Sequence, residues 1–113
     1  MRSGARTPEE LDLLLEDAFV LRDGTALAQL FETSAVLVVG DGFSEARGRE
    51  EITAVAARMW KMDQCYVSDP TRIIQSDDIA FVSGPSGVSV VRRSIDRSWH
   101  FTIALLSFAD ARR

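Results

Sequence analysis

The sequence predicts an α+β fold: a curved antiparallel sheet wrapped around three helices carried by the N-terminal half. Three observations carry that expectation. Apolar residues recur at helical spacing as far as Trp60 and switch to a period of two after Gln64. The later strands are joined by short turn-forming strings, Ser76-Asp77-Asp78, Gly84-Pro85-Ser86-Gly87 and Asp96-Arg97-Ser98, which demand antiparallel neighbours. The final strand, Trp99 to Phe108, is apolar at both parities, so both of its faces need a cover.

The elements follow in order. Thr7 caps a first helix, Pro8 suits its first position and Glu10 completes a capping box. Leu11, Leu14, Leu15, Ala18 and Leu21 form its stripe, and Arg22-Asp23-Gly24 ends it through the glycine. Thr25 is expected to cap a short second helix bearing Leu27, Leu30 and Phe31. Ala35 to Val39 reads as a buried strand before Gly40-Asp41-Gly42, with Phe43 to Arg47 as a brief partner. Gly48 opens a third helix, with Glu50 and Glu51 at its positive end and Ile52, Val55, Ala56, Met59 and Trp60 on its inner face. Four strands are expected near Tyr66 to Gln75, Ile79 to Ser83, Val88 to Ile95 and Trp99 to Phe108, with Pro70 marking an edge or bulge.

The 113 residues read as one domain over 1–113, with residues 1–6 expected to fray. Thirteen basic against seventeen acidic residues give a net charge of -4, which opposes nucleic-acid binding. The one basic cluster, Arg92, Arg93 and Arg97, reads as a solvated hairpin. A single cysteine, Cys65, allows no intrachain disulfide and fits a reducing cytoplasm. One cysteine and one histidine exclude a Cys/His zinc cluster, and no metal or cofactor is expected. No apolar run approaches the ~20 residues of a membrane span.

The strings RDGTALAQLFETSAVLVVGDG, EARGREEI and SWHFTIALLSF, in this order, resemble the nuclear transport factor 2-like superfamily, in its SnoaL-like and ketosteroid isomerase-like branch. The resemblance runs from about Thr7 to Phe108. It implies a cone-shaped sheet with a pocket between its concave face and the first and third helices. Leu15, Phe19, Val39, Val55, Met59 and Trp60 then approach that pocket, joined by Tyr66 where the third helix hands over to the sheet. Packing of the core explains the same residues equally well.

The departures from the isomerase pattern matter more. Val39 stands where the resemblance places the proton-abstracting aspartate, the helix around Leu15 has no tyrosine for the oxyanion, and Ala104 replaces an aspartate common in the last strand. Catalysis by proton transfer needs a titratable group within about 3 Å of the reacting atom. The remaining candidates are His100, which parity places on either the concave or the convex face, and Asp41, whose commoner role between glycines is turn formation. Asp63 and Asp69 read as helix-end and strand-end residues, Cys65 as a small hydrophobe, and Trp99 as a core or interface residue that could instead wall a pocket for a flat ligand. No glycine-rich phosphate loop or nucleophile elbow is present.

The expected function is therefore a hydrophobic small-molecule-binding domain lacking the isomerase acid and base. The alternative is a SnoaL-like cyclase, isomerase or hydrolase acting on a polyketide or other cyclic substrate. A homodimer through the outer sheet face is expected from the doubly apolar last strand.

Overall fold

A computed structural model describes residues 4–40 and 44–111. Helix α1 (Pro8–Leu21) begins as expected: Thr7 is extended, and its hydroxyl accepts from Glu10 N at 3.0 Å. The Glu10 carboxylate turns back to Arg6 N rather than to the cap residue. The helix ends at Arg22, not at glycine, with Arg22 itself left-handed at φ 51°. Gly24 instead starts α2 (Gly24–Gln29), which Asp23 caps by accepting from Ala26 N at 3.0 Å, in place of Thr25. Helix α3 (Gly48–Lys61) opens on a glycine at φ 84°, and Glu51 accepts from Arg47 N at its start.

The strands are β1 (Phe31–Val39), β2 (Glu45–Arg47), β3 (Gln64–Cys65), β4 (Arg72–Ser76), β5 (Ile79–Gly84), β6 (Gly87–Arg93), β7 (Trp99–Leu106) and β8 (Ala109–Asp110). Six form one open curved sheet in the order β2-β1-β7-β6-β5-β4, and β3 pairs with β8 apart from it. β1 lies parallel to β7, so the sheet is mixed, while the ladders from β4 to β7 are antiparallel as the short turns require. The strand expected from Tyr66 to Gln75 is split. Tyr66 to Thr71 belongs to no strand, and pairing resumes beyond Pro70, whose ring leaves no N–H for a ladder. At the β5–β6 turn Gly87 has φ 128°, and a Cβ there would stand 2.0 Å from the Leu105 carbonyl oxygen, which only glycine tolerates.

The last strand departs from simple alternation. On β7 the register with β6 jumps from Ile103 opposite Val90 to Phe101 opposite Val91, leaving Thr102 as the extra residue of a bulge. The expected rows, Trp99-Phe101-Ile103-Leu105 against Thr102-Ala104-Leu106-Phe108, are therefore cut and rejoined. The buried row is Trp99, Phe101, Ala104 and Leu106, and the outer row is His100, Ile103 and Leu105. Helices α1, α2 and α3 cover the inner row together with Leu37 and Ala35 of β1. Ala5, within the stretch expected to fray, is fully buried, and its carbonyl accepts from Trp99 N at 3.0 Å.

Candidate ligand site: an aromatic mouth and a buried polar niche

Among the described residues, the space between helices and sheet includes an inner compartment and an outer cleft. The inner one is apolar, lined by Leu15, Phe19, Leu27, Phe31, Val55 and Phe108 among others, and its free volume is only about 10 Å³. That is roughly the space of one water molecule, and an apolar cavity this small stays dry. Outside it a cleft of about 300 Å³ opens between the end of β1, the end of α3 and the C-terminal strap, lined by Val39, Gly40, Met59, Met62, Gln64, Ser107 and Phe108. The aromatic residues gather where the two meet. Phe108 stacks on Phe19 with centroids 5.1 Å apart and meets Tyr66 edge-on at 6.3 Å. Trp60 stands edge-on to Phe19 at 5.6 Å, and its buried Nε1 has no acceptor among the described residues.

The residues expected around a pocket thus divide. Leu15, Phe19 and Val55 line the inner compartment, Val39 and Met59 line the outer cleft, and Trp60 backs Phe19. Tyr66 faces a third, polar niche of about 10 Å³ shared with Asp12, Asp69, Ser86 and Ser89. There Asp12, 4% exposed, accepts from the Tyr66 hydroxyl and the Ser68 hydroxyl, both at 2.6 Å. Ser68 N in turn donates to Glu16 Oε1 at 2.9 Å. Burial, the hydrogen bond to Asp12 and the neighbouring Asp12 and Glu16 charges push the Tyr66 phenol far above its ordinary value. It stays neutral and donates.

Asp12 was absent from the sequence-based candidates, although a signal existed. The buried positions of α1 are Pro8, Leu11, Asp12, Leu15, Ala18 and Phe19, a helical stripe in which an aspartate is out of place. A carboxylate at a core position needs partners, and Tyr66 and Ser68 supply them.

His100 is not brought to any of these compartments. It stands on the outer face of β7 opposite Arg92, because both its neighbours, Trp99 and Phe101, point inward. Arg92 forms a two-pronged contact with Glu32 at 2.8 and 3.0 Å and holds the Glu32 carboxyl below its ordinary value. Arg93 binds Asp78 and lies over the Trp99 ring at 5.4 Å, so two members of the basic cluster are already paired. Asp41 lies outside the described residues. Cys65 is half-buried in β3, and Asp63 pairs with Arg22 at 3.1 Å. Among the described residues no group of His, Cys, Asp and Glu could hold a metal ion, and no helix is long and apolar enough to cross a membrane.

A cone of this kind, with helices inside an open curved sheet, is the nuclear transport factor 2-like fold, and solved structures bear this out. The chain matches a ketosteroid isomerase-like protein from Erwinia carotovora atroseptica with a TM-score of 0.72 at 20% identity, over 88% of this chain and 92% of that one. It matches a nuclear transport factor 2-like protein of unknown function from Shewanella oneidensis with a TM-score of 0.63 at 21% identity, over 87% and 93%. A third likeness is to a nuclear transport factor 2-like protein with a cystatin-like fold from Novosphingobium aromaticivorans, with a TM-score of 0.64 at 18% identity over 90% and 79%. At these identities the likeness is one of fold. No protein family and no curated protein matches the chain by sequence.

Proposed function

We propose that the chain acts as a single domain that binds a small hydrophobic molecule, as a homodimer in the reducing cytoplasm, without the proton-transfer chemistry of the isomerases. The observation that carries the reading is the outer cleft. Its volume, about 300 Å³, is at the lower end of small-molecule pockets (~300–1,000 Å³), and among the described residues no charged side chain lines it. The sequence supports the non-catalytic half of the reading, with Val39 and Ala104 where the isomerase pattern has carboxylates. Calorimetric titration with a panel of uncharged hydrophobic molecules tests it. Binding is expected, and Met62→Arg, at an exposed rim position, is expected to abolish it without unfolding the protein. A panel that binds nowhere, or binds Met62→Arg unchanged, overturns the reading.

One observation favours a second reading, an enzyme of the cyclase, isomerase or hydrolase type acting on a polyketide or other cyclic substrate. The Asp12–Tyr66 hydrogen bond joins a carboxylate, which can serve as a base, to a neutral phenol, which can donate to a developing oxyanion. Under the first reading, a β,γ-unsaturated ketosteroid turns over no faster with protein than in buffer. Turnover that Asp12→Asn abolishes would establish the second instead.

A further inference from the structure

Among the described residues, the inner apolar compartment and the outer cleft share one lining residue, Phe108. Its ring is the partition between them. It is only partly buried, and it lies 26° from parallel on Phe19 with Tyr66 edge-on beside it. Offset stacking plus an edge contact is the arrangement in which a bound aromatic ring is held most favourably.

Apart from its own packing on Phe19 and Tyr66, the ring is held through the short strap that follows it. Beyond Phe108, β8 contributes a two-residue ladder to Gln64 and Cys65, and Ala111 N donates to the Asp63 carbonyl at 2.7 Å. Ala109, Asp110 and Ala111 are all exposed, so the strap has no buried side chain of its own. Segments with few buried contacts open at low free-energy cost.

We propose that this place is a binding site for an uncharged planar aromatic molecule of one or two rings, and that the chain fills it with its own Phe108 until such a ligand displaces the ring. The inference rests on the ligand-binding reading above and names the ligand class and its competitor. The class follows from the walls. Among the described residues neither compartment is lined by a charged side chain, the Tyr66 hydroxyl is committed to Asp12, and Phe19 offers a ring face once Phe108 leaves. A ring that reaches past the outer cleft into the inner compartment must displace Phe108, since that compartment has only about 10 Å³ free.

Naphthalene and indole, with the non-planar cyclohexanol as control, test the proposal by NMR titration of backbone amides in the full chain. The planar probes are expected to shift the amides of residues 107–111 and to speed their hydrogen exchange. Removing the competitor raises apparent affinity by the inverse of the open fraction, so Phe108→Ala should bind naphthalene at least about tenfold more tightly than the parent. Phe108→Trp, a larger plug, should bind it more weakly, and cyclohexanol should bind less well than either planar probe. If Phe108→Ala does not fold, Phe108→Leu is expected to tighten binding to a smaller degree. Binding that shifts Val39 and Met59 but leaves the strap protected, with equal affinity in parent and variants, overturns the proposal and leaves the proposed function standing. Failure of folded parent and folded Phe108→Ala alike to bind any apolar probe sinks the proposed function itself.

Discussion

The two faces of the sheet can be compared residue for residue, because the ladders bring both rows into register. Across β1, β7, β6, β5 and β4 the inner row reads Leu37, Ala104, Ser89, Val82, Ile73. One step away, the outer row reads Val36, Ile103, Val90, Phe81, Ile74. The outer row is the bulkier and has no polar member, yet the helices cover the other one. Ala104, Ser89 and Val82 are at most 5% exposed, whereas Ile103, Phe81 and Ile74 are 43%, 41% and 50% exposed. Small residues in the middle of the inner row leave room for the helices. Large apolar residues left this exposed among the described residues form a patch of the kind that marks an interaction surface. A second copy of the chain, laid against it by two-fold symmetry, is the occupant proposed here.

The comparison breaks most sharply when a charge is placed in each row. Ala104→Asp puts an unpaired carboxylate under the helices and should cost about 3–5 kcal/mol, a large share of the ~5–15 kcal/mol of a typical domain. Leu37→Asp should behave alike. Urea denaturation should find these variants unfolded or much less stable, and a parent-like midpoint would place the residue in water. In contrast, Ile103→Glu or Phe81→Glu should leave the monomer folded and remove self-association. Light scattering should give twice the 12.5 kDa chain mass for the parent and the single mass for either variant. A parent that stays monomeric at high concentration removes the dimer, and the outer row then needs another cover.

A smaller effect sharpens what the inner side tolerates. Tyr66→Phe deletes one of two hydroxyls that serve the buried Asp12 carboxylate and should cost about 1–3 kcal/mol. Tyr66 is also the only tyrosine, so its phenolate absorbance reports one site. Its pKa is raised on folding, so its contribution is complete below the unfolded value of ~10 and is lost as pH climbs above it. The phenolate signal should therefore remain silent in the folded protein above pH ~10 and appear together with unfolding. A gradual titration near pH 10 would put the hydroxyl in solvent.

The smallest expected effect lies beyond both rows, in the β6–β7 turn. Hydrogen bonds from the Ser94 and Ser98 hydroxyls and from Ser98 N hold Asp96 at about 2. A depressed carboxyl contributes above its unfolded value of ~3.9 and loses that contribution as pH falls towards 2. Asp96→Asn should flatten this part of the melting temperature's pH dependence slightly. An unchanged profile would mean that the turn's bonds do not persist in solution.

Local signals in the sequence are legible where one short-range interaction decides the outcome. The Thr7 cap, the acidic first turn of α3 and the antiparallel hairpins from β4 to β7 need no knowledge of distant residues. Asp23 took the capping role expected of Thr25 because Arg22 accepts the left-handed conformation two residues before the glycine. Alternation could not reveal the Thr102 bulge. Where two residues oppose one is decided by the partner strand, and a single slip exchanges the faces beyond it. The same slip puts Ile103 and Leu105 outside and Ala104 inside. Asp12 was legible only through its position on the stripe, and its partners lie more than fifty residues away.

The parallel pairing of β1 with β7 has a consequence for synthesis. β1 is made early, with Phe31–Val39 carrying a valine-rich run, and among the described residues its one nearby strand partner is the three-residue β2. Its other edge waits until Trp99–Leu106 have been translated, because β7 docks there directly. Until then a strand rich in branched apolar residues offers open backbone donors and acceptors, a template for joining a neighbouring nascent chain. Closure of that long loop also sets the pace of folding, since non-local pairings form slowly. The half of the chain that looks self-sufficient on paper is thus the half that depends most on residues made last.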